Sequence, residues 1–473
     1  MYFPLLRVFV TSWFILSAVR ALAADVQTAS LNVTGLKPES RFVIVQEPMD
    51  FTALLQKLGI SGAVDTQTIQ LIEKLPDGAT QPRDVQWTSD VQPRPTARHL
   101  LPATTQSVSY AAEHEAHDTP PVKVTGTLTW VIDRPSAAER GYELRFRVPE
   151  GGRFIQVPFE PQDLRAFDAG GRATPPAFPT MQIHPLRPMN RAVELFEGND
   201  LVTGYHLGPS SASVADGDYR RPFLYPVIGP DGISLTEFGK PHDPTLSHAH
   251  HYSLWIAHSN VDGHDFWSEK GGVIVQNRLD LQEDGPVFAR VVQSTKWVFE
   301  KTDLLHERRE VTLYKSTGDA RVIDFDLQFT PAGKEPVTFG KSTFGFMAAR
   351  VRQSMTVFDG GGEITNSNGD VNESHVHLKH ANWIDLAGPI APGKWGGVSI
   401  LDNPANPNHP TMFHCRNDGW ACASFTGEAS FTLVPDKPLH LRYRILLHRG
   451  NAADAHVDRF FSGYITPTVS VGE

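Results

Sequence analysis

Six histidines fall within the twenty-seven residues from Pro241 to Trp267: His242, His248, His250, His251, His258 and His264, accompanied by Asp243, Asp262 and Asp265. Imidazole is the commonest metal ligand and the commonest acid–base group near neutral pH, so chemistry is expected here first. If residues 248–258 run as a strand, His248, His250 and His258 share a face with Tyr252, Leu254 and Ile256, and His251, Ser253, Trp255 and Ala257 take the other. On that spacing His248 and His250 converge on one substrate oxygen or one divalent metal, with His251 a further candidate metal ligand. A cupin-type site also wants a Glu a few residues on. Tyr252 to Ala257 carries none, and no HExxH or CxxC occurs. A metal site, a metal-free catalytic or sugar-binding site, and a loop of hydrogen-bonding histidines all stay open. Asn260-Val-Asp-Gly reads as a turn, with Gly263 able to take positive φ.

Other polar clusters could join these histidines. Tyr225, between residues of Arg220-Arg-Pro-Phe-Leu-Tyr-Pro, could be a rigid aromatic platform or a core tyrosine. In His306-Glu307-Arg308-Arg309-Glu310, Glu307 could be a base and Arg308 a carboxylate clamp, or both could be rim ion pairs of small worth. The Pro-stiffened run from Asn403 to Arg416 offers His414 as a general acid and Arg416 as a substrate contact, or is a plain surface loop. Arg350 and Arg352 alternate to one face and could line a cleft. With His250 and His258 as the polar centre, Asp262 or Glu307 would be the carboxylate base. Arg350 and Arg416 would hold hydroxyls or a carboxylate. Tyr225, Trp255 and Trp267 could stack on sugar rings.

The elements that must position these groups read as strands. Apolar runs are short, β-branched or aromatic, and bounded by Gly, Pro, Asn or Asp, as in 127–132, 142–148, 272–275, 322–329 and 439–447. Helical signals are few: Phe51 to Leu58 and a few residues near Ala452. The spacing predicts an all-β chain: a large antiparallel β-sandwich over residues 190–473, preceded by a smaller β-sandwich-like domain over 24–149 and joined by a Pro-rich connection over 150–189. Gln92 to Pro121 reads as a loop. Pro (36) and Gly (38) suit a turn-rich chain, and 40% apolar residues suffice for a core. A net charge of −10 with no basic tract argues against nucleic-acid binding.

Residues 1–23 read as a secretory signal peptide: Arg7, an apolar core from Val8 to Val19, and Ala21-Leu-Ala23 at the cleavage point. No later stretch is long and apolar enough to span a bilayer as a helix. A periplasmic or secreted location is therefore expected. Export would permit Cys415 and Cys422 to pair. Two buried thiols are the equal alternative.

The run Arg221-Pro-Phe-Leu-Tyr-Pro, then His248-Ala-His-His251, then His258-Ser-Asn-Val-Asp-Gly-His-Asp-Phe-Trp267 resembles the PmoA-like family of secreted bacterial proteins, a domain of unknown function with the inherited label methane oxygenase. Trp297 with Glu307-Arg308, residues 345–350, Trp383-Ile-Asp, and Asn403-Pro through Arg416 extend the resemblance over about residues 190–465. Ala249 replaces a usual Pro, Tyr252-Ser253 an Arg-Gly-like pair, and Ser259 and His264 small or apolar residues. The missing Arg puts an anionic-substrate role at that position in doubt. The oxygenase label does not suit a chain without several spanning helices. The resemblance implies a β-sandwich and, by association, carbohydrate. Two readings follow: an exported hydrolase, lyase or epimerase on a glycan or sugar, with or without a divalent metal, or a non-catalytic glycan-binding or envelope protein. The wealth of titratable groups favours the first. A periplasmic copper oxidase ranks last, since no Cys–His–Met set is apparent.

Overall fold

The computed structural model describes residues 26–90, 123–148, 180–184, 192–214, 219–238, 248–464 and 468–472. Residues 1–23, read above as a signal peptide, the Gln92–Pro121 stretch, most of the 150–189 connection, His242 and Asp243 lie outside them. The protein is all-β, 55% strand and 7% helix, and its strands pair antiparallel among the described residues. Among the described residues no helix is long and apolar enough to cross a membrane.

Two compact units form. The smaller takes in residues 26–38, 43–148 and the terminal strand Thr468–Gly472. That strand pairs with Val26–Thr34, so the chain's last residues belong to this unit and not to the larger one. A five-stranded and a three-stranded antiparallel sheet enclose Leu31, Val45, Trp130, Leu144 and Phe146. Phe51–Lys57 is a helix, capped by the Asp50 carboxylate accepting from the Ala53 N–H.

The larger unit takes in residues 39–42 and 180–464. It begins earlier than residue 190, because Met181–His184 is the edge strand of a nine-stranded sheet. That sheet continues through Ala192–Glu197, Asp200–His206, Phe223–Val227, Leu254–His258, Gly345–Arg350, Trp420–Ser424, Met412–Arg416 and Lys379–His380. An eight-stranded sheet includes Phe288–Phe299, Thr302–Tyr314, Ala320–Pro331, Leu439–Arg449 and Lys394–Asp402. One apolar core draws Leu254, Ile256, Met347 and Ala421 from the first sheet and Val311, Phe325, Leu441 and Ile445 from the second, which makes the unit a sandwich.

The nine-stranded sheet also buries its other face, and this places the site. Side chains alternate along each strand, so Trp255, Ala257, Ala348, Trp420 and Cys422 point away from the sandwich core. Register aligns them into a row: Phe223 opposite Trp255, Trp255 opposite Ala348, Ala348 opposite Cys422, and Cys422 opposite His414. Ala257, Ala348 and Cys422 pack in one buried cluster with Trp255, Trp267 and Trp420. The same alternation parts the cysteines: Cys415 joins the core while Cys422 joins the outer aromatic layer, and both are buried free thiols.

Candidate functional site

The segment ahead of the Leu254–His258 strand is a turn, not a strand. The His251 N–H donates to the His248 carbonyl at 2.8 Å, and Ser253 takes φ +62°. The turn folds three imidazoles onto one another. The His248 and His251 rings stack at 4.6 Å and 4°, and His250 meets His251 edge-on at 4.5 Å. Arg221, fully buried, pins the turn by donating to the His250 carbonyl at 3.1 Å and the Ser268 carbonyl at 3.1 Å. Its guanidinium lies 4.7 Å over the Tyr252 ring.

The outer row supplies the partners. Arg350 Nη1 donates to His251 Nδ1 at 3.0 Å, and Trp420, paired with Arg350 across the strands, lies 4.9 Å from the His251 ring. His248 Nε2 lies 2.9 Å from Asp418 Oδ2. Arg350 lies between two carboxylates, 3.8 Å from Asp418 and 3.8 Å from Glu237. Asp418 is aimed by the hairpin turn joining Met412–Arg416 to Trp420–Ser424. Gly419 there has φ +96°, and a Cβ would meet Thr356 Cγ2 at 2.5 Å, so only glycine fits. On the far side of Trp420, His414 stacks at 4.5 Å.

Protonation follows from these contacts. Arginine only donates, so His251 Nδ1 is an acceptor and its proton sits on Nε2. Burial, then the neighbouring His250 and Arg350, holds the His251 imidazole well below its ordinary range. Burial and Arg221 push His250 down to about 4. Burial and His377 push His414 to about 3. These three rings are neutral near pH 7. His414 therefore cannot serve there as a protonated general acid, contrary to expectation. Burial raises Asp418, but the His248 hydrogen bond and Arg350 outweigh it, and the carboxylate stays below its ordinary value. Five buried polar atoms of this layer have no hydrogen-bond partner among the described residues: Trp255 Nε1, Trp267 Nε1, Arg350 Nε, His414 Nε2 and Asp418 Oδ1. Buried polar groups are rarely left so.

The structure thus gathers His248, His250, His251, Arg350, Trp267 and His414 in one layer. Tyr225 sits at its edge, 5.8 Å from the Phe238 ring. Trp267 is only 4% exposed and packed on Trp255, Trp420 and Phe344, so its faces are not open to a sugar. Arg416 is held by Glu373 at 2.7 Å.

Four expected members lie elsewhere. Glu307 faces the sandwich interior, ion-paired with Arg309 at 2.6 Å and accepting from Trp297 Nε1 and Thr295, so it is not the base. Arg308, one residue on, points outward to Glu310 and clamps nothing. Asp262 sits in the tight turn with Gly263, where its carboxylate accepts from the Thr338 N–H. His258 falls one residue out of phase with Trp255 and Ala257, so it enters the core. Nδ1 accepts the Asn260 N–H, and Nε2 lies 2.7 Å from Thr426 Oγ1. Sequence reasoning missed Asp418, Glu237 and Trp420. The Asn-Asp-Gly hairpin tip was the available signal for Asp418.

The interior position of His258 has a consequence for pH stability. Burial pushes it down to about 4 from 6.5. Between those values the unfolded chain binds the extra proton, so stability falls as pH falls. Wild type is expected to lose roughly 2.5 kcal/mol at this residue between neutrality and pH 4.5. Urea unfolding at the two pH values should show that much less loss in His258→Gln. Equal losses would contradict the assignment.

One ring nitrogen from each of His248, His250 and His251 lies within 4.8 Å of the others, close enough for one ion. Two features work against that use. Parallel stacked rings send their in-plane lone pairs alongside each other, not to a point, and the Arg350 cation already occupies His251 Nδ1.

Fold and site together define an antiparallel β-sandwich protein with a histidine–arginine–aspartate cluster on one outer sheet face. The chain belongs to a family of unknown function (DUF6807), whose model matches residues 192–462. That description carries no activity, and the PmoA-like label remains a resemblance. An AMP/ADP-polyphosphate phosphotransferase from Meiothermus ruber is 26% identical over 144 residues, 29% of this chain and 47% of that one, so the chain spans about half of that relative. A crystal structure of heparan sulfate lyase HepC from Pedobacter heparinus covers 55% of this chain and 34% of its own at 9% identity. Its TM-score of 0.26 is too low to inform fold or function.

Proposed function

We propose that this is an exported carbohydrate-active enzyme that moves a proton on a glycan or sugar by imidazole chemistry, as a lyase or epimerase does, without a metal. The leader-like first 23 residues support export. The observation that carries the chemistry is the His248–Asp418 pair beside neutral His250. Donating Nε2–H to a carboxylate leaves His248 Nδ1 as a lone pair, and Asp418 then stabilises the imidazolium formed when that nitrogen takes a proton. Arg350 beside them is the donor the arrangement offers to an oxygen of the substrate or of a developing enolate.

Hydrolysis fits less well. Glycosidases generally use a carboxylic acid kept protonated by a raised pKa, whereas Asp418 is held ionised and Glu237 also faces Arg350. Isotope labelling tests this. A glycan panel turned over in D2O containing oxygen-18 water should yield either product deuterated at carbon, as an epimerase gives, or an unsaturated, ultraviolet-absorbing sugar with no oxygen-18, as a lyase gives. Oxygen-18 from water at the anomeric position, with no carbon deuterium, would reverse the reading in favour of a hydrolase. Calorimetric binding without product would favour a binding protein.

A further inference from the structure

Three aromatic side chains are exposed among the described residues: Tyr219 (45%), Phe344 (37%) and Phe358 (78%). Single exposed aromatics are ordinary, but these three share a location. Phe344 lies 4.7 Å from the His414 ring and 6.0 Å from Trp420. Tyr219 meets Tyr252, the neighbour of His251, at 6.0 Å. The Phe358 N–H donates to the Asn417 carbonyl at 2.9 Å, one residue from Asp418. They come from three separate segments: Phe344 touches the layer at His414 and Trp420, while Tyr219 and Phe358 adjoin Tyr252 and Asn417, the chain neighbours of His251 and Asp418.

The segment bearing Phe358 is held in shape. Thr356 accepts from the Asp359 N–H through its hydroxyl at 2.8 Å and from Gly360 and Gly362 through its carbonyl at 3.0 Å each. Partly exposed hydrogen-bonding groups lie beside it: Glu373 binds both Arg416 and the Asn417 N–H. A pyranose ring offers an apolar C–H face and a rim of hydroxyls, which an aromatic face with polar groups at its edge matches. One sugar unit can cover only one such platform.

Resting on the function proposed above, we infer that the substrate is an oligosaccharide of several units, with one unit at the histidine layer and neighbouring units stacked on Phe358 and Phe344, and Tyr219 bordering a further unit.

The test uses the full mature chain and an array of glucan, xylan, mannan, galactan and uronan oligosaccharides graded from one to six units. Wild type should bind the five-unit member of its preferred series at least tenfold more tightly than the two-unit member. Phe358→Ala, a change at a surface side chain, should remove most of that gain while leaving two-unit binding within about twofold. Phe344→Ala should shorten the gain at the other end. Length-independent binding, or a gain that survives both substitutions, overturns the inference. If short sugars are turned over by wild type and not by His248→Ala but length brings nothing, the proposed function stands and this inference falls. If no glycan of any length binds, both fall.

Discussion

Replacing His248 with Ala is expected to lower turnover by roughly 10²–10⁴-fold, the range for losing a positioned acid–base group. Unfolding should barely change, because the ring is partly exposed and its one strong bond is to Asp418, itself at a hairpin tip. Asp418→Asn should cause a loss approaching that of His248→Ala, for a different reason. The amide keeps the shape but cannot stabilise the imidazolium, and it can bind the ring in the wrong tautomer. Because the two act as a unit, the double variant should be little worse than His248→Ala alone. Independent, multiplying losses would show that Asp418 does not work through His248.

The second large effect is on stability. Glu307→Ala is expected to cost about 3–5 kcal/mol, since it leaves the Arg309 guanidinium buried without its counter-charge. Arg309 is 1% exposed and donates twice to Glu307, which also accepts from Trp297 and Thr295. Replacing both partners, as in Glu307→Leu with Arg309→Met, should recover most of the loss, because a buried pair exchanged for apolar side chains is often nearly neutral. Denaturant unfolding measures all three. Turnover per folded molecule should stay near wild type in Glu307→Ala. A large drop there would return Glu307 to the site.

Period-two alternation made much of the fold legible. Val322 to Phe329 read as a half-buried strand and pairs with Leu439–Arg449 at the centre of the second sheet. The same rule, applied from Trp255 and Ala257, puts His258 on the opposite face. The histidines look like one set only if their strand is extended back through residue 248, where the chain in fact turns. Alternation also implied Glu307 inward with Leu305, Arg309 and Val311, but charged residues do not announce themselves as core. Asp418 was hidden for another reason. Its meaning depends on the Trp420–Ser424 strand lying beside Gly345–Arg350, a pairing some seventy residues apart that no local pattern reveals. Arg350, a residue of that same strand, could be nominated from sequence but not given its partners.

On the proposed function, the His248–His250–His251 layer turns over a glycan by acid–base chemistry of its own side chains. The most direct measurement is chromatography of a glycan panel incubated with chelator-treated wild type and with chelator-treated His250→Ala. Wild type should give product in chelator and the variant at least a hundredfold less, with added divalent metal changing neither. Product only when metal is restored, together with about one bound ion per chain that His250→Ala loses, would contradict the proposed function and make the three histidines a ligand set.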